Sequence, residues 1–309
     1  MIPDFAKRRG LIKFAVMLSK VSRVASILAL SFLGFTSITY SQTFHCQNDS
    51  LKAVSVLSDS RLAGMAKGER NVAIAEMLAG IPAASKVEAA ASANGNVAIR
   101  LCEVDPLQFV NTVLAFNNTV SRDDSDIMML SKEYADVARR KGKETEDWMA
   151  HFLFPADWLN DNLFRRNLQE VSGNFNQILH EKFKTIDYVT HNRDDYAVLK
   201  DSALYDRVRR MEMGYVQYPL RFLPINSFTK RPVKEGLADG DILVIYSTEN
   251  DLDSRDIGFV TKDNGECYLL HVSPGEGKVC REELPLDKYF KRNVKRIMGV
   301  RVFRLPESN

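Results

Sequence analysis

Four cysteines and five histidines are the side chains of this 309-residue chain best suited to nucleophilic or metal chemistry. Their spacing restricts what they can do. Cys46, Cys102, Cys267 and Cys280 form no Cys-x-x-Cys pair, which argues against a zinc site or a redox couple, and four are too few for a disulfide scaffold. His45, His151, His180, His191 and His271 are scattered with no metal-pair spacing, so each reads as a surface or satisfied core residue. Asp251, Asp253 and Asp256 crowd one stretch, but the Ile257 and Gly258 that follow do not complete a calcium loop; a solvated acidic turn is expected. Lys288, Lys291, Arg292, Lys295 and Arg296 read as a solvated helix face. Motifs for a serine nucleophile elbow, a zinc protease, a phosphate loop or a dinucleotide site are missing. No metal and no cofactor is expected.

The elements that would position any site follow from periodicity. Residues 51–80 read as one or two amphipathic helices, stopped by Gly80-Ile81-Pro82. An Ala-rich segment then runs to the turn Asn94-Gly95-Asn96, and residues 97–104 alternate as a short strand would. Asp105-Pro106 opens the next helix, with Asp as N-cap and Pro in the first helical position; Phe109, Val110, Val113, Leu114 and Phe116 form its apolar stripe. Further helices are predicted over 125–141 and 194–213, with an aromatic-rich loop over 148–164 between them. From Arg221 the period becomes two, predicting strands near 241–246, 256–261, 267–273 and 299–303. Helices first and an antiparallel sheet second define an α+β fold.

The amino terminus carries Lys7, Arg8, Arg9, Lys13, Lys20 and Arg23 against Asp4 alone. An uncharged apolar stretch over 24–38 and the small residues Thr39 and Ser41 follow, which together read as a signal peptide over 1–41. Taking those six basic and one acidic residues from 42 and 40 leaves 36 and 39, a formal charge of −3. The basic pI thus belongs to the precursor, and nucleic acid is not an expected partner. The expected product is exported, has no membrane span after cleavage, and forms a single domain over 42–309, helical over about 51–220 and sheet over about 221–305.

A helix start held by an N-cap, helical padding and then a hairpin-rich sheet bearing polar residues resembles the plan of papain-like NlpC-type hydrolases. From about Ala73 to Leu305 the chain resembles one family of that superfamily, the exported N-acetylmuramoyl-L-alanine amidase-like proteins. Ile74-Ala75 with Gly80-Ile81-Pro82, Leu101 to Asp105 with Phe109-Val110 and Val113-Leu114-Ala115, and Asp157-Trp158 with Asp161-Asn162 carry the first half of the likeness. Phe222-Leu223-Pro224, Gly240-Asp241-Ile242, Leu252-Asp253, Ile257-Gly258 and Leu270-His271-Val272-Ser273 follow in the family's order. The resemblance implies a papain-like fold with a largely helical insertion, and peptidoglycan fragments as the substrate class.

It also implies a nucleophilic Cys at the helix start, a His base on the facing strand and a third polar group on the next strand. Here those positions hold Pro106, Asp256 and His271, so an orienting group remains while nucleophile and base do not. The family's Tyr after its Gly-Thr-Pro aligns with Ala83. Cys102 stands four residues before Pro106, roughly 13 Å along an extended chain, too far for a simple swap, and reads as a buried apolar side chain. The expectation is a catalytically silent amidase-like protein that binds peptidoglycan fragments or an envelope partner. Asp105, Pro106, Asp157, Trp158, Asp256 and His271 are placed on the cleft wall, with Trp158 either stacking on a sugar or plugging the core. One alternative is an active hydrolase using Asp256 and His271; the other is an interaction protein whose cleft is filled by Phe152, Phe154 or Trp158. No disulfide is expected between Cys267 and Cys280, because a turn centred near Gly275 places Leu270 opposite Cys280.

Overall fold

The computed structural model describes residues 44–84, 98–122, 125–140 and 147–306. The leader read at 1–41 and residues 85–97 of the Ala-rich segment lie outside the described residues. The stretch 51–80 divides into α1 (Asp49–Leu57) and α2 (Lys67–Met77). The next helix, α3 (Pro106–Val120), starts as its sequence predicts. The Asp105 carboxylate accepts the Gln108 N–H at 2.8 Å, while the Gln108 side-chain oxygen accepts the Asp105 N–H at 3.3 Å. This reciprocal box serves a helix whose first residue, Pro106, has no N–H to satisfy. α4 (Ile127–Ala138) is capped by Asp126.

The loop predicted over 148–164 is helical in its second half, as α5 (Pro155–Phe164). Pro155 at the first position is the same start signal that Pro106 provides, and Trp158 and Leu159 bury the inner face. After the short α6 (Tyr188–His191), the helix predicted at 194–213 contracts to α7 (Ser202–Glu212), preceded by two single 3-10 turns. Of the strand expected over 97–104, the described residues 98–104 form none; Ile99 and Val104 make isolated bridges to Phe44 and Ala83.

The main sheet is antiparallel throughout, in the order β1-β8-β4-β5-β6-β7. Its strands are β1 (Gln169–Glu170), β4 (Ile242–Ser247), β5 (Ser254–Asp263), β6 (Glu266–Ser273), β7 (Lys278–Arg281) and β8 (Ile297–Arg304). β2 (His180–Lys184) and β3 (Tyr218–Phe222) form a separate two-stranded ribbon. Strands therefore already occur inside the region expected to be helical, because β1 and β2 are too short or too exposed to show a period-two pattern. β7 was not among the predicted strands, although the hairpin turn expected near Gly275 implies a partner for β6 through Cys280. The Gly80 N–H donates to the Val279 carbonyl and the Val279 N–H to the Ile81 carbonyl, so the segment after α2 pairs along this edge.

Two apolar layers cover the sheet. Ile242, Val244 and Tyr246 of β4 face α3, while Leu243 and Ile245 face Phe228, α8 (Arg231–Gly236) and α9 (Leu286–Arg292). That two-sided burial explains the unbroken apolar run of β4. On β5, Ile257 and Phe259 meet α3, with Phe109 and Phe259 edge to face at 5.8 Å. A Cβ on Gly258 would come within 2.6 Å of the His271 Cβ on the paired strand, so this glycine gives His271 its room. Among the described residues no helix is long and apolar enough to cross a membrane.

Candidate functional site

A cavity of about 290 Å³ opens where the start of α3 meets the first residues of β5 and the segment leading into α5. Asp105, Pro106 and Asp256 stand in its wall, with Phe152, Phe154, Tyr188 and Tyr196 supplying aromatic surface. Three of the six expected cleft residues therefore come together. Burial pushes the Asp105 carboxyl up, although the N–H groups of Gln108 and Leu107 oppose it. Phe152 and Phe154 form wall, but space remains between them and the helix start.

His271 lies behind Asp256 and does not reach the cavity wall. It is fully buried, with Nδ1 at 2.5 Å from Asp256 Oδ2 and Nε2 at 2.9 Å from Glu282 Oε1. Carboxylates only accept, so both ring nitrogens carry protons and the ring is an imidazolium. Burial alone would push its pKa down; the charge and hydrogen bond of Asp256, then those of Glu282, outweigh it and raise the value to about 9. The hydrogen bond from His271 in turn holds Glu282 below its ordinary value, and Ser273 Oγ adds a bond of 3.0 Å. The second Asp256 oxygen accepts the Ile257 N–H at 2.8 Å.

Glu282 was not anticipated. The four-residue turn after Ser273 pairs Ser273 with Lys278 and His271 with Cys280, shifting the expected register by one residue. Glu282 then falls diagonally across from His271 on the same face. The alternation of β5 places Asp256 on the side of Gly258 and Val260, where Tyr289 of α9 meets the His271 ring edge to face at 5.9 Å.

Asp157 and Trp158 are corrections. The Trp158 side chain is fully buried, and its indole N–H donates to Asn111 Oδ1 at 2.8 Å and to the Val137 carbonyl at 3.0 Å. It joins α3, α4 and α5 as a core plug, with no face left for a sugar. Asp157 is buried against Arg140, whose Nη1 donates to Oδ1 at 2.6 Å and whose Nη2 bonds Oδ2; the Tyr215 hydroxyl adds 3.0 Å. The acidic turn is not solvated either. Asp253 is fully buried, and the carbonyls of Ser247, Glu249 and Leu252 all accept from the buried Lys184 ammonium. The basic run over 288–296, by contrast, is exposed at all five positions as expected.

Cys102 is not an apolar filler but is joined to Cys46, with Cα atoms 6.3 Å apart. Their sulfurs and Asp49 are the one grouping of metal-ligating type among the described residues, and the disulfide occupies the sulfurs that a metal would need. Cys267 and Cys280 are free, as expected, and burial pushes both thiols up, away from the thiolate.

Residues 75–298 match the N-acetylmuramoyl-L-alanine amidase-like family. The chain belongs to that family. Among solved structures, an N-acetylmuramoyl-L-alanine amidase from Bacteroides uniformis is similar over 78% of this chain and 99% of its own, with a TM-score of 0.68 and 21% identity. A Bacteroides fragilis protein put forward as a xylanase is similar over 75% of this chain and 100% of its own, at a TM-score of 0.66 and 20% identity. A Legionella pneumophila protein covers 84% of this chain and 96% of its own, at 0.64 and 16%. At these identities the likeness is one of fold. No curated protein matches the sequence.

Several of the motifs that carried the resemblance serve the scaffold. Asp241 of Gly240-Asp241-Ile242 is fully buried, accepting the Ala238 N–H at 2.8 Å and two bonds from Arg304 at 2.6 and 2.8 Å. Gly240 itself has φ of 74° and sits against Gly68 of α2, where a Cβ would come within 2.2 Å of the Gly68 carbonyl oxygen. Asp253 of Leu252-Asp253 accepts the Ala156 N–H at 2.5 Å, capping α5 from a distant part of the sequence.

Proposed function

We propose that this chain is an exported, catalytically silent amidase-like protein of the papain-like NlpC type, which binds peptidoglycan fragments in the cavity beside Pro106. The observation that carries this reading is the helix start itself. The position aimed at the cavity is occupied by proline, which has no nucleophilic atom, and the carboxylate across from it is Asp256. The remaining sulfurs give no substitute: Cys102 is oxidised, and Cys267 and Cys280 are protonated thiols outside the cavity wall.

The arrangement also disfavours a displaced mechanism. A general base needs a free lone pair within reach of the proton it takes. Both His271 nitrogens are protonated and bound, and the ring does not reach the cavity wall, so the histidine of the Asp256/His271 pair has no lone pair to offer a substrate. A self-filled cleft is disfavoured by the open volume between Phe152, Phe154 and Pro106. The signal-peptide pattern at 1–41 supports export, and the −3 charge of the chain without it supports a neutral or weakly charged ligand over a polyanion.

The test is turnover of a mixed muropeptide pool read by mass spectrometry, with a Pro106→Cys/Asp256→His double variant alongside. The natural protein is expected to release no stem peptide. Release of stem peptide by it would end the silent reading. Turnover by the double variant alone would show that the cavity still accepts the family's substrate class.

A further inference from the structure

The basic run over 288–296 is used by neither the fold nor the cavity. Lys288, Lys291, Arg292, Lys295 and Arg296 are all exposed, and no acid stands between them. None of the five forms a salt bridge among the described residues. Most acids nearby are held elsewhere: Asp287 by Lys234 at 3.4 Å, Glu282 by His271 at 2.9 Å and Glu249 by Arg255 at 3.5 Å. Arg292 acts on Glu282 through space only, and Glu283 stands exposed before the run. Exposed cations elsewhere are interleaved with acids, as Arg209 and Arg210 are with Asp206 and Glu212 on α7. Without residues 1–41 the chain carries −3, and five of its positive charges stand in these nine residues, so the remainder carries −8. One-sign clustering on a chain of the opposite sign steers the molecule toward an oppositely charged partner.

The run sits on ordered backbone. Its first half is the outer side of α9, whose Leu286 and Phe290 are buried against the sheet. Its second half is a tight turn, in which the Arg296 and Ile297 N–H groups both donate to the Asn293 carbonyl, at 2.8 and 3.1 Å. Thr248 fastens the turn, its N–H and hydroxyl donating to the Arg296 and Lys295 carbonyls at 3.1 and 3.0 Å. Backbone that is already fixed loses little further freedom when its cations engage a surface. Between Arg292 and Lys295 stands Val294, 54% exposed.

Four to eight cations around an apolar side chain suit a layer of anionic lipid headgroups. The charges meet phosphates while the apolar group enters the interface, an environment that a soluble polyphosphate does not offer. α9 covers the face of the sheet opposite α3, and none of the five cations lines the cavity. Contact there leaves the cavity wall untouched.

We propose that the 288–296 run docks this protein on an anionic phospholipid surface, with its cations on the headgroup phosphates and Val294 in the interface. This stands apart from whatever the cavity binds.

Co-sedimentation tests it, with vesicles of phosphatidylglycerol and phosphatidylcholine in equal parts set against phosphatidylcholine alone. Lipid is titrated through half-binding, so any contribution of the amino terminus is common to all variants and cancels from the affinity ratios. The natural protein is expected to prefer the anionic vesicles and to lose affinity as salt rises from about 0.1 to about 0.5 M. Each cation near such a surface contributes roughly fivefold, so Lys288→Gln/Lys291→Gln/Lys295→Gln should weaken binding by roughly 100-fold. Val294→Ser should weaken it by roughly threefold and leave binding of soluble polyphosphate unchanged. Lys200→Gln/Arg209→Gln/Arg210→Gln removes the same charge elsewhere and should have less than about a threefold effect. All these side chains are exposed, and an unchanged melting temperature confirms that the variants are folded. An equal loss in the two triple variants would overturn the assignment, since overall charge would then do the binding. Failure of the natural protein to prefer anionic vesicles would overturn it outright. Polyphosphate binding lost in the first triple variant, with Val294→Ser matching the natural protein on vesicles, would make the run a polyanion site instead.

Discussion

Asp157 and Asp256 are both buried aspartates, 2% and 5% exposed, and each is held by a cation. Asp157 faces Arg140, a permanent charge with two parallel donors, and ties α5 to the end of α4 and to Tyr215. Asp256 faces His271, whose charge exists only because Asp256 and Glu282 flank it. The helical side of the molecule is thus pinned by an ion pair whose cation keeps its charge at any ordinary pH, although burial pushes the Asp157 carboxyl up. The sheet side is pinned by one whose cation titrates. Asp157 serves the scaffold, while Asp256 presents one edge to the cavity and its partner to the core.

The largest expected effect lies on the permanent pair. Asp157→Ala strands the Arg140 guanidinium in a partly buried site and should cost about 3–5 kcal/mol in urea unfolding. Were Asp157→Asn to lose muropeptide affinity at unchanged stability, Asp157 would return to the ligand side and the contrast would fail. Next comes the titrating pair. A pKa raised from 6.5 to about 9 means the folded state holds a proton that the unfolded state releases. The stabilisation is complete below about pH 6.5 and is lost as pH rises through about 9, amounting to about 3 kcal/mol in all. Melting temperature should therefore fall across that window in the natural protein. His271→Gln, less stable at pH 6, should show a flatter profile there. A profile of equal slope in the two proteins would mean that His271 is not the titrating group.

What the sequence revealed follows the range of the interactions. The start of α3 was legible because an N-cap and a first-position proline act within four residues, and β4, β5, β6 and β8 because short β-branched and apolar runs stand between turn residues. The placement of Pro106, Asp105 and Asp256 around one cavity followed from family order. His271 was located on the right strand but not behind Asp256, since the identity of its second partner depends on a hairpin register that is one residue away from the simplest count. Trp158 and Asp157 looked like ligand groups because an aromatic beside an acid carries no mark of which side faces in. Gln108, three residues after Asp105, carries the local signal of a capping box, whereas His151 is one of five scattered histidines and its burial against the Trp148 carbonyl has no mark in the sequence.

Asp253 links the two regions and gives the smallest effect. It belongs to the turn before β5, yet its Oδ2 accepts the Ala156 N–H of α5, whose own N-cap residue, Phe154, has no side-chain acceptor. Its other oxygen accepts the Ser254 N–H at 2.6 Å. Asp253→Ala should cost about 1 kcal/mol at pH 7, the usual loss for a helix cap. The pH dependence has the same sign as that of His271 but lies in a more acidic window. Burial raises the Asp253 carboxyl to about 6 even though the two N–H groups and Lys184 favour its charge. The folded state then takes up a proton before the unfolded state does, so the natural protein gains stability from this group as pH falls from about 6 toward 4. The alanine variant cannot gain it, and the difference between the two proteins should widen over that interval in parallel urea titrations. A difference that stays constant from pH 7 to 4 would mean that the carboxyl is solvated in solution. The cavity wall between Phe154 and Ser254 would then be held by packing alone.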